Sequence, residues 1–282
     1  TFNWYWLVDG LADAGYKMHL ANPAAIKQYE GLKHADDRTD AFWLATMLKL
    51  GILPEGYIYP KEERPIRDRL RRRLFFVRQR TAQVLSLQSM VRRHSAKRIS
   101  VNRIKQLNEG DAGLLFDDPC LADTAAHDLA TIGFLSQRIK SMESSVLSHV
   151  KLKPEFSPLL TVPGIGKILG LTIMLEVGTI DRFARVGNYA SYCRCVKSSR
   201  ISNAKSKGRG NTRNGNKYLS WAYVEAANFI VRFNTKARSF YQRKKARTCQ
   251  AVATKALAHK LARASYYIIR DKVDFDEEKL FG

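Results

Sequence analysis

Two stretches of hydrophobic residues recur every three or four positions, and they commit the middle of the chain to long helices. Ile66, Leu70, Leu74, Val77, Val84, Leu87 and Val91 line one face of a helix expected over residues 61–95. Ala125, Leu129, Ile132, Leu135, Ile139, Met142 and Val146 approximate a heptad stripe on a second helix. Between them, residues 108–120 hold Gly110, Gly113 and Pro119 and read as a loop. Two long helices joined in this way form an antiparallel coiled-coil arm or two neighbours of a helical bundle, and the pattern fits both.

The flanks differ from this middle. Residues 1–50 read as alternating α and β. Trp4, Leu7, Leu11 and Ala14 recur at helical spacing before Gly15, Tyr16 to Ala21 is a short strand candidate, and Asn22-Pro23 starts a further helix. Ala41 to Leu48 forms the body of another helix, stopped by Gly51 and Pro54. The first residues already look like folded core with no polar lead-in, so the sequence is expected to begin inside a domain. Beyond residue 150, Pro154 and Pro158 mark a linker, a Pro-Gly-Ile-Gly turn follows, and helices dominate from Lys217 to Asp271.

Charge narrows the function. The chain of 282 residues carries 48 Lys and Arg against 26 Asp and Glu, a net charge of +22. Such an excess opposes compaction by self-repulsion unless a polyanion neutralises it. Nucleic acid answers this best, because each phosphate contact releases counterions. Residues 61–80 carry nine cations and three acids. Residues 194–217 carry four Lys, four Arg and no acid, and no acid lies between Glu225 and Asp271. A membrane surface would require a basic amphipathic helix or an anchor, and neither stands out. The most apolar run, Leu159 to Val177, is interrupted by Pro163, Gly164, Gly166, Lys167 and Glu176. Cys120, Cys193, Cys195 and Cys249 show no metal spacing and read as reduced thiols. These features point to a cytoplasmic, nucleoid-associated protein.

Three segments could carry chemistry. Pro163-Gly164-Ile165-Gly166-Lys167 is a glycine turn before a helix, where backbone N–H groups and Lys167 can meet a phosphate. It is similar to the turn of helix-hairpin-helix DNA-binding motifs, and a tight inter-helix turn is its bland counterpart. Asp37 and Asp40 are three apart and share a helix face, as half of a Mg²⁺ site or as a solvated helix start. Ser198, Ser199 and Ser202 lie among Arg200, Lys205, Lys207 and Arg209. A serine there could attack phosphorus with the cations stabilising the charge, or the loop could simply grip a nucleic-acid backbone. No His-Glu-x-x-His pattern and no Walker lysine loop is present.

In their order along the chain, these residues resemble a known family. His34-Ala-Asp-Asp-Arg-Thr-Asp-Ala41, Leu53-Pro-Glu-Gly-Tyr57 and the Arg67 to Arg80 helix look like the end of a DEDD transposase domain. Leu160-Thr-Val-Pro-Gly-Ile-Gly166, Glu176-Val-Gly with Phe183, Gly215-Asn216-Lys-Tyr-Leu219 and Ala256 to Ala262 look like the C-terminal transposase domain of the same insertion-sequence elements. The resemblance implies an RNase H-like (RuvC-like) domain with four acids that bind Mg²⁺, a helical coiled-coil region, and a C-terminal domain bearing a serine. It implies recombination of circularised element DNA, with a structured guide RNA in some members. Asp37 and Asp40 match the last two acids of the four, while the first Asp and the Glu have no counterpart here. Asp9 and Asp13 fall on a helix and do not match.

The expected architecture is therefore an α-rich α/β protein. Residues 1–60 form the rear of the RNase H-like domain, 61–152 the helical coiled-coil arm, and 153–282 a helical C-terminal domain with the helix-hairpin-helix-like turn. The expected function is DNA transposition by site-specific recombination, by a chain that forms homo-oligomers. An inactive nucleic-acid scaffold and a metal-only Holliday-junction-type nuclease are the rivals. The family serine falls thirteen residues before Gly215, which is Ser202, and Asn203 stands where the family has glycine. Gly164, Gly166, Lys167, Arg200, Lys205, Lys207, Arg209, Arg213 and Lys217 are the expected nucleic-acid contacts.

Overall fold

The computed structural model describes residues 4–26, 36–196, 201–203, 205–208 and 214–282. The chain divides into two compact units, Thr1–Arg64 and Pro65–Gly282. The described residues are helix-rich, and their strands amount to one short hairpin and an isolated bridge.

In the first unit, α1 spans Tyr5–Asp13 and α2 spans Asp37–Lys49. Asp36 caps α2, its side chain accepting from the Thr39 N–H at 2.7 Å. The strand expected at Tyr16–Ala21 does not form among the described residues, and Pro23–Ala25 is only a 3-10 turn. The extended stretch meets residues 54–56 through a single bridge, with the Asn22 N–H reaching the Pro54 oxygen at 2.8 Å. One bridge cannot pair a strand's backbone groups along its length. The α/β expectation for this region thus gives way to helices and extended chain. Asp9 pairs with the buried Arg64 at 2.7 Å, and that guanidinium also donates to the Tyr59 carbonyl and lies over the Trp4 and Tyr5 rings. Asp9 is thereby a structural anion.

The second unit holds all but the first residue of α3, Arg64–Ser95, continues through α4, Val101–Ile104, and a 3-10 turn at Glu109–Leu114, and reaches α5, Pro119–His149. The stripes expected from periodicity are the buried faces: Leu70, Leu74, Val84, Leu87 and Val91 on α3, and Ala125, Leu129, Ile132, Leu135, Ile139 and Val146 on α5. The two helices run antiparallel. Arg69 meets Ser145, Arg73 meets Glu143 at 2.7 Å and Arg80 meets Ser136 at 3.2 Å, so partners on α5 fall as numbers on α3 rise. The segment read as a plain loop is more ordered than expected. Asn108 and Asp111 form a capping box around the 3-10 turn, and Ala112 and Phe116 close the far end of the helix pair.

The remaining helices are α6, Lys167–Val177; α7, Val186–Tyr192; α8, Lys217–Phe233; α9, Thr235–Arg247; α10, Gln250–Asp271; and α11, Glu277–Phe281. Between α7 and α8, Ile201–Ser202 (β1) and Lys205–Ser206 (β2) make an antiparallel hairpin. The core centres on α6, buried from Gly170 to Val177, with α8 packed on it and α10 packed on α8. Leu70 and Val146 join this same core, so the base of the α3–α5 pair is rooted in it. Small residues allow the close packing: Ala222, Ala226 and Ala227 of α8 and Ala258 and Ala262 of α10 are all buried. Gly164 contributes from the turn before α6. Its φ is +100°, and a Cβ there would stand 2.7 Å from the Ala226 oxygen and 2.9 Å from the Ile230 nitrogen.

One polar cluster crosses this core. Glu176, only 2% exposed, accepts from Arg67 and Arg71 of α3 and from the Asn216 amide, at 3.2, 2.5 and 2.7 Å. Burial pushes the Glu176 carboxyl up. The hydrogen bond from Arg71, the charges of Arg67 and Arg71 and the Asn216 amide outweigh that and hold it below its ordinary 4.5. The other end of the Asn216 side chain caps α8, accepting from the Tyr218 and Leu219 N–H groups at 2.8 and 3.1 Å.

Two stability predictions follow from these contacts. Gly164→Ala combines a disfavoured φ with overpacking against α8 and should lower unfolding free energy by about 2–5 kcal/mol in a denaturant titration. Glu176→Gln leaves the buried Arg67 and the part-buried Arg71 without their anion and should cost about 3–5 kcal/mol. Glu176 is depressed in the folded state, so its contribution is complete above pH 4.5 and is lost as pH falls through the lowered value. The parent should therefore lose stability on acidification below pH 4.5 by a slope that Glu176→Gln lacks; equal slopes would remove this assignment.

Candidate nucleic-acid interface

The basic loop between α7 and α8 is held at its two ends. The Asn216 N–H donates to the Tyr192 carbonyl at 2.6 Å, and Arg194 Nε donates to the Gly215 carbonyl at 3.0 Å. Gly215 has φ +88°, and a Cβ there would lie 2.5 Å from the Tyr192 oxygen, so the two ends touch backbone to backbone. Because Asn216 is also the partner of Glu176, the buried carboxylate anchors the loop. The Gly215-Asn216 pair, noticed in the sequence only as part of a resemblance, thus has a mechanical role. Glu176, Arg67 and Arg71 as its support were not legible there. An acid inside the apolar run 169–177 was the available signal.

The hairpin rises from this clasp. Ser202 pairs with Lys205 and Ile201 with Ser206. Asn203 sits at φ +50°, the left-handed region that asparagine tolerates better than most residues. Lys205 and Lys207 are exposed. Ser198, Ser199, Arg200, Arg209 and Arg213 lie outside the described residues. Lys217 opens α8 on the exposed side of the clasp, its ammonium 5.2 Å from the centre of the Tyr218 ring. The hairpin therefore joins Ser202 and Lys205 in one register, with Lys207 following.

The Gly164–Lys167 turn places Gly166 as the N-cap of α6, with Gly166 and Lys167 exposed. Gly164 itself faces α8, so the two glycines divide the roles weighed for this motif: one packs, the other leaves the helix start open. Helix α9 adds a surface of its own. From Gln242 to Gln250 every residue is exposed, including Arg243, Lys244, Lys245 and Arg247, and the helix carries no acid. A helix end exposed on all sides and purely basic has no partner in the core and suits phosphate contact.

Asp37 and Asp40 both lie in the first turn of α2, Asp37 exposed and Asp40 half-buried, while the neighbouring Asp36 is committed to its cap. Among the described residues no three of His, Cys, Asp or Glu gather as a metal site. The pair supplies two carboxylates, half the set that the resemblance implies. The four cysteines are free thiols. Burial pushes Cys193 well up and Cys195 to about 11, which leaves both as poor nucleophiles. Among the described residues no helix is long and apolar enough to cross a membrane.

A model of the IS116/IS110/IS902 transposase family matches residues 157–242. The chain is 24% identical to the transposase-named protein y4qE of Sinorhizobium fredii (strain NBRC 101917 / NGR234) over 235 residues, which covers 79% of the chain. The match spans 55% of that relative, so the chain accounts for about half its length. The turn at Gly164, the buried Glu176, the clasp at Gly215-Asn216, the hairpin with Ser202 and the first half of α9 all lie inside the matched region. Over that region the chain is similar to the transposase domain of this insertion-sequence family, and the comparisons support a transposase.

Proposed function

We propose that the protein is a DNA transposase that cuts and rejoins the strands of its element as a site-specific recombinase. The observation that carries this reading is the clasped basic hairpin. Within the transposase-like region it sets Ser202 in register with Lys205, on a loop whose ends are fixed by a buried carboxylate. A serine hydroxyl needs compensation of its developing charge before it attacks phosphorus. Lys205 and Lys207 beside it, with Arg200 and Arg209 in the same loop, supply cations for that purpose. In the proposed step the Ser202 oxygen bonds to phosphorus and the bond to the leaving strand's oxygen breaks. The serine's proton passes to a base, and the leaving strand ends as a hydroxyl. Rejoining is the reverse.

In this reading Asp37 and Asp40 contribute carboxylates to Mg²⁺, which stabilises charge on the reacting phosphate. Gly166, Lys167, Arg213 and Lys217 hold the DNA backbone, as does α9. A structured guide RNA and a second copy of the chain are further partners of the same reading. The excess charge makes binding salt-dependent: affinity for DNA should fall by orders of magnitude between about 50 and 200 mM salt, because several phosphates are neutralised together. Filter binding at graded salt checks this, and an affinity indifferent to salt would remove the interface.

The chemical step is tested in the full-length protein with a suicide DNA substrate that traps any covalent adduct. Ser202→Ala should abolish the adduct, with Ser198→Ala and Ser199→Ala retaining it. Asp40→Asn should abolish strand cleavage and leave DNA affinity nearly intact. An adduct that survives Ser202→Ala moves the nucleophile to a neighbour. Cleavage with free ends and no adduct from the parent favours a metal-only nuclease, and DNA binding without cleavage favours a scaffold.

A further inference from the structure

The corner between α8 and α9 exposes aromatic rings that the core does not use. Phe229 and Phe233 are four residues apart on α8 and so share a face. Phe229 is 40% exposed and Phe233 is 74% exposed. Leaving a large apolar side chain in water forgoes the free energy of its burial, and Phe233 stays largely in water.

The corner is nevertheless well built. Asn234 ends α8 and caps α9, accepting from the Ala237 N–H at 2.7 Å, and its amide donates to Glu277 at 2.7 Å. Arg238 donates to the carbonyls of Val231 and Arg232 at 3.0 and 2.7 Å, which ties the first turn of α9 to the last turn of α8. The Arg232 guanidinium stands 5.2 Å from the centre of the Phe229 ring. Phe233 is thus held in the open by a braced backbone. Its surroundings are cationic: Arg232 and Arg238 adjoin it, and α9 runs on to the exposed Arg243, Lys244, Lys245 and Arg247. Residues 226–270 contain no acid; the acids that border the surface are the half-buried Glu225, one turn before Phe229, and Glu277 and Glu278 of α11, which bond to Asn234 and Lys236.

From this juxtaposition we propose that the α8–α9 corner is a stacking platform for unpaired nucleotides. Bases of a single-stranded segment lie on Phe233 and Phe229, and the strand's phosphates follow Arg232, Arg238 and the basic end of α9. An intact duplex keeps its bases stacked on one another and gains nothing from an exposed ring. A single strand gains one stacking contact per ring, whatever its sequence, because phenylalanine has no hydrogen-bonding group to read base edges. A second protein chain is the weaker occupant, since the acids at this corner, Glu277 and Glu278, are bonded to Asn234 and Lys236, while Arg232 and the cations at the end of α9 stay exposed and suit a polyanion. This inference rests on the nucleic-acid reading above and narrows it to a strand that has been opened.

The test measures fluorescence anisotropy of a labelled thymidine oligonucleotide and of a duplex of equal length at one salt concentration. Phe233→Ala should weaken the single strand by about tenfold and leave the duplex within about twofold. Phe233→Trp should restore single-strand affinity, and Phe233→Leu, equally apolar but without a ring, should not. Because Phe233 is exposed, circular dichroism should report an unchanged fold. Equal losses for both oligonucleotides, no loss, or rescue by leucine overturns the platform. So does a change of oligomeric state in sedimentation without a change in single-strand affinity. A parent protein that binds neither oligonucleotide removes the nucleic-acid reading itself. A parent that binds duplex and ignores every Phe233 substitution removes the platform alone.

Discussion

A single buried carboxylate organises much of the larger unit. Glu176 lies in the most buried helix of the protein and would be untenable there alone, since removing a charge from water costs several kcal/mol. It is tolerated because α3 brings Arg67 and Arg71 to it and Asn216 brings an amide. The two arginines come from one segment and the amide from another, so the acid specifies a register among α3, α6 and the start of α8. A hydrophobic residue could fill the space with comparable stability, but it would not demand one particular alignment of three segments.

That alignment reaches the surface through Asn216. The same side chain that completes the Glu176 cluster also caps α8, and its backbone N–H closes the basic loop against Tyr192. A loop with so many like charges repels itself, and its ends must be held by something the repulsion cannot overcome. Buried hydrogen bonds to a charged group are strong enough to do this. The described cations of the hairpin, Lys205 and Lys207, are exposed.

Close packing supplies the rest of the frame. Gly164 and the alanines of α8 and α10 let backbones approach where larger residues would hold them apart. The consequence for α8 is a helix whose buried side is finely fitted and whose end projects. Phe233 at its end and the basic end of α9 are displayed by this frame without taking part in the core.

By itself, the sequence determined the long amphipathic helices, the excess of positive charge and the order of family-like motifs. Each is a local or additive property: Leu70, Leu87, Leu129 and Ile139 recur at helical spacing whatever surrounds them, and charge sums along the chain. The strand read at Tyr16–Ala21 failed because a strand exists only with a partner, and a run of apolar residues does not say whether one is present. Only the tertiary structure decided that Glu176 is a buried hub, since Arg67 and Asn216 are separated from it by 109 and 40 positions. It also decided that Gly164 packs against α8 while Gly166 opens to solvent, and that Phe233 stands exposed where its neighbour Ile230 is buried. These depend on which side of a helix meets another helix. Periodicity marks a face as apolar, but only the packed fold determines what that face touches.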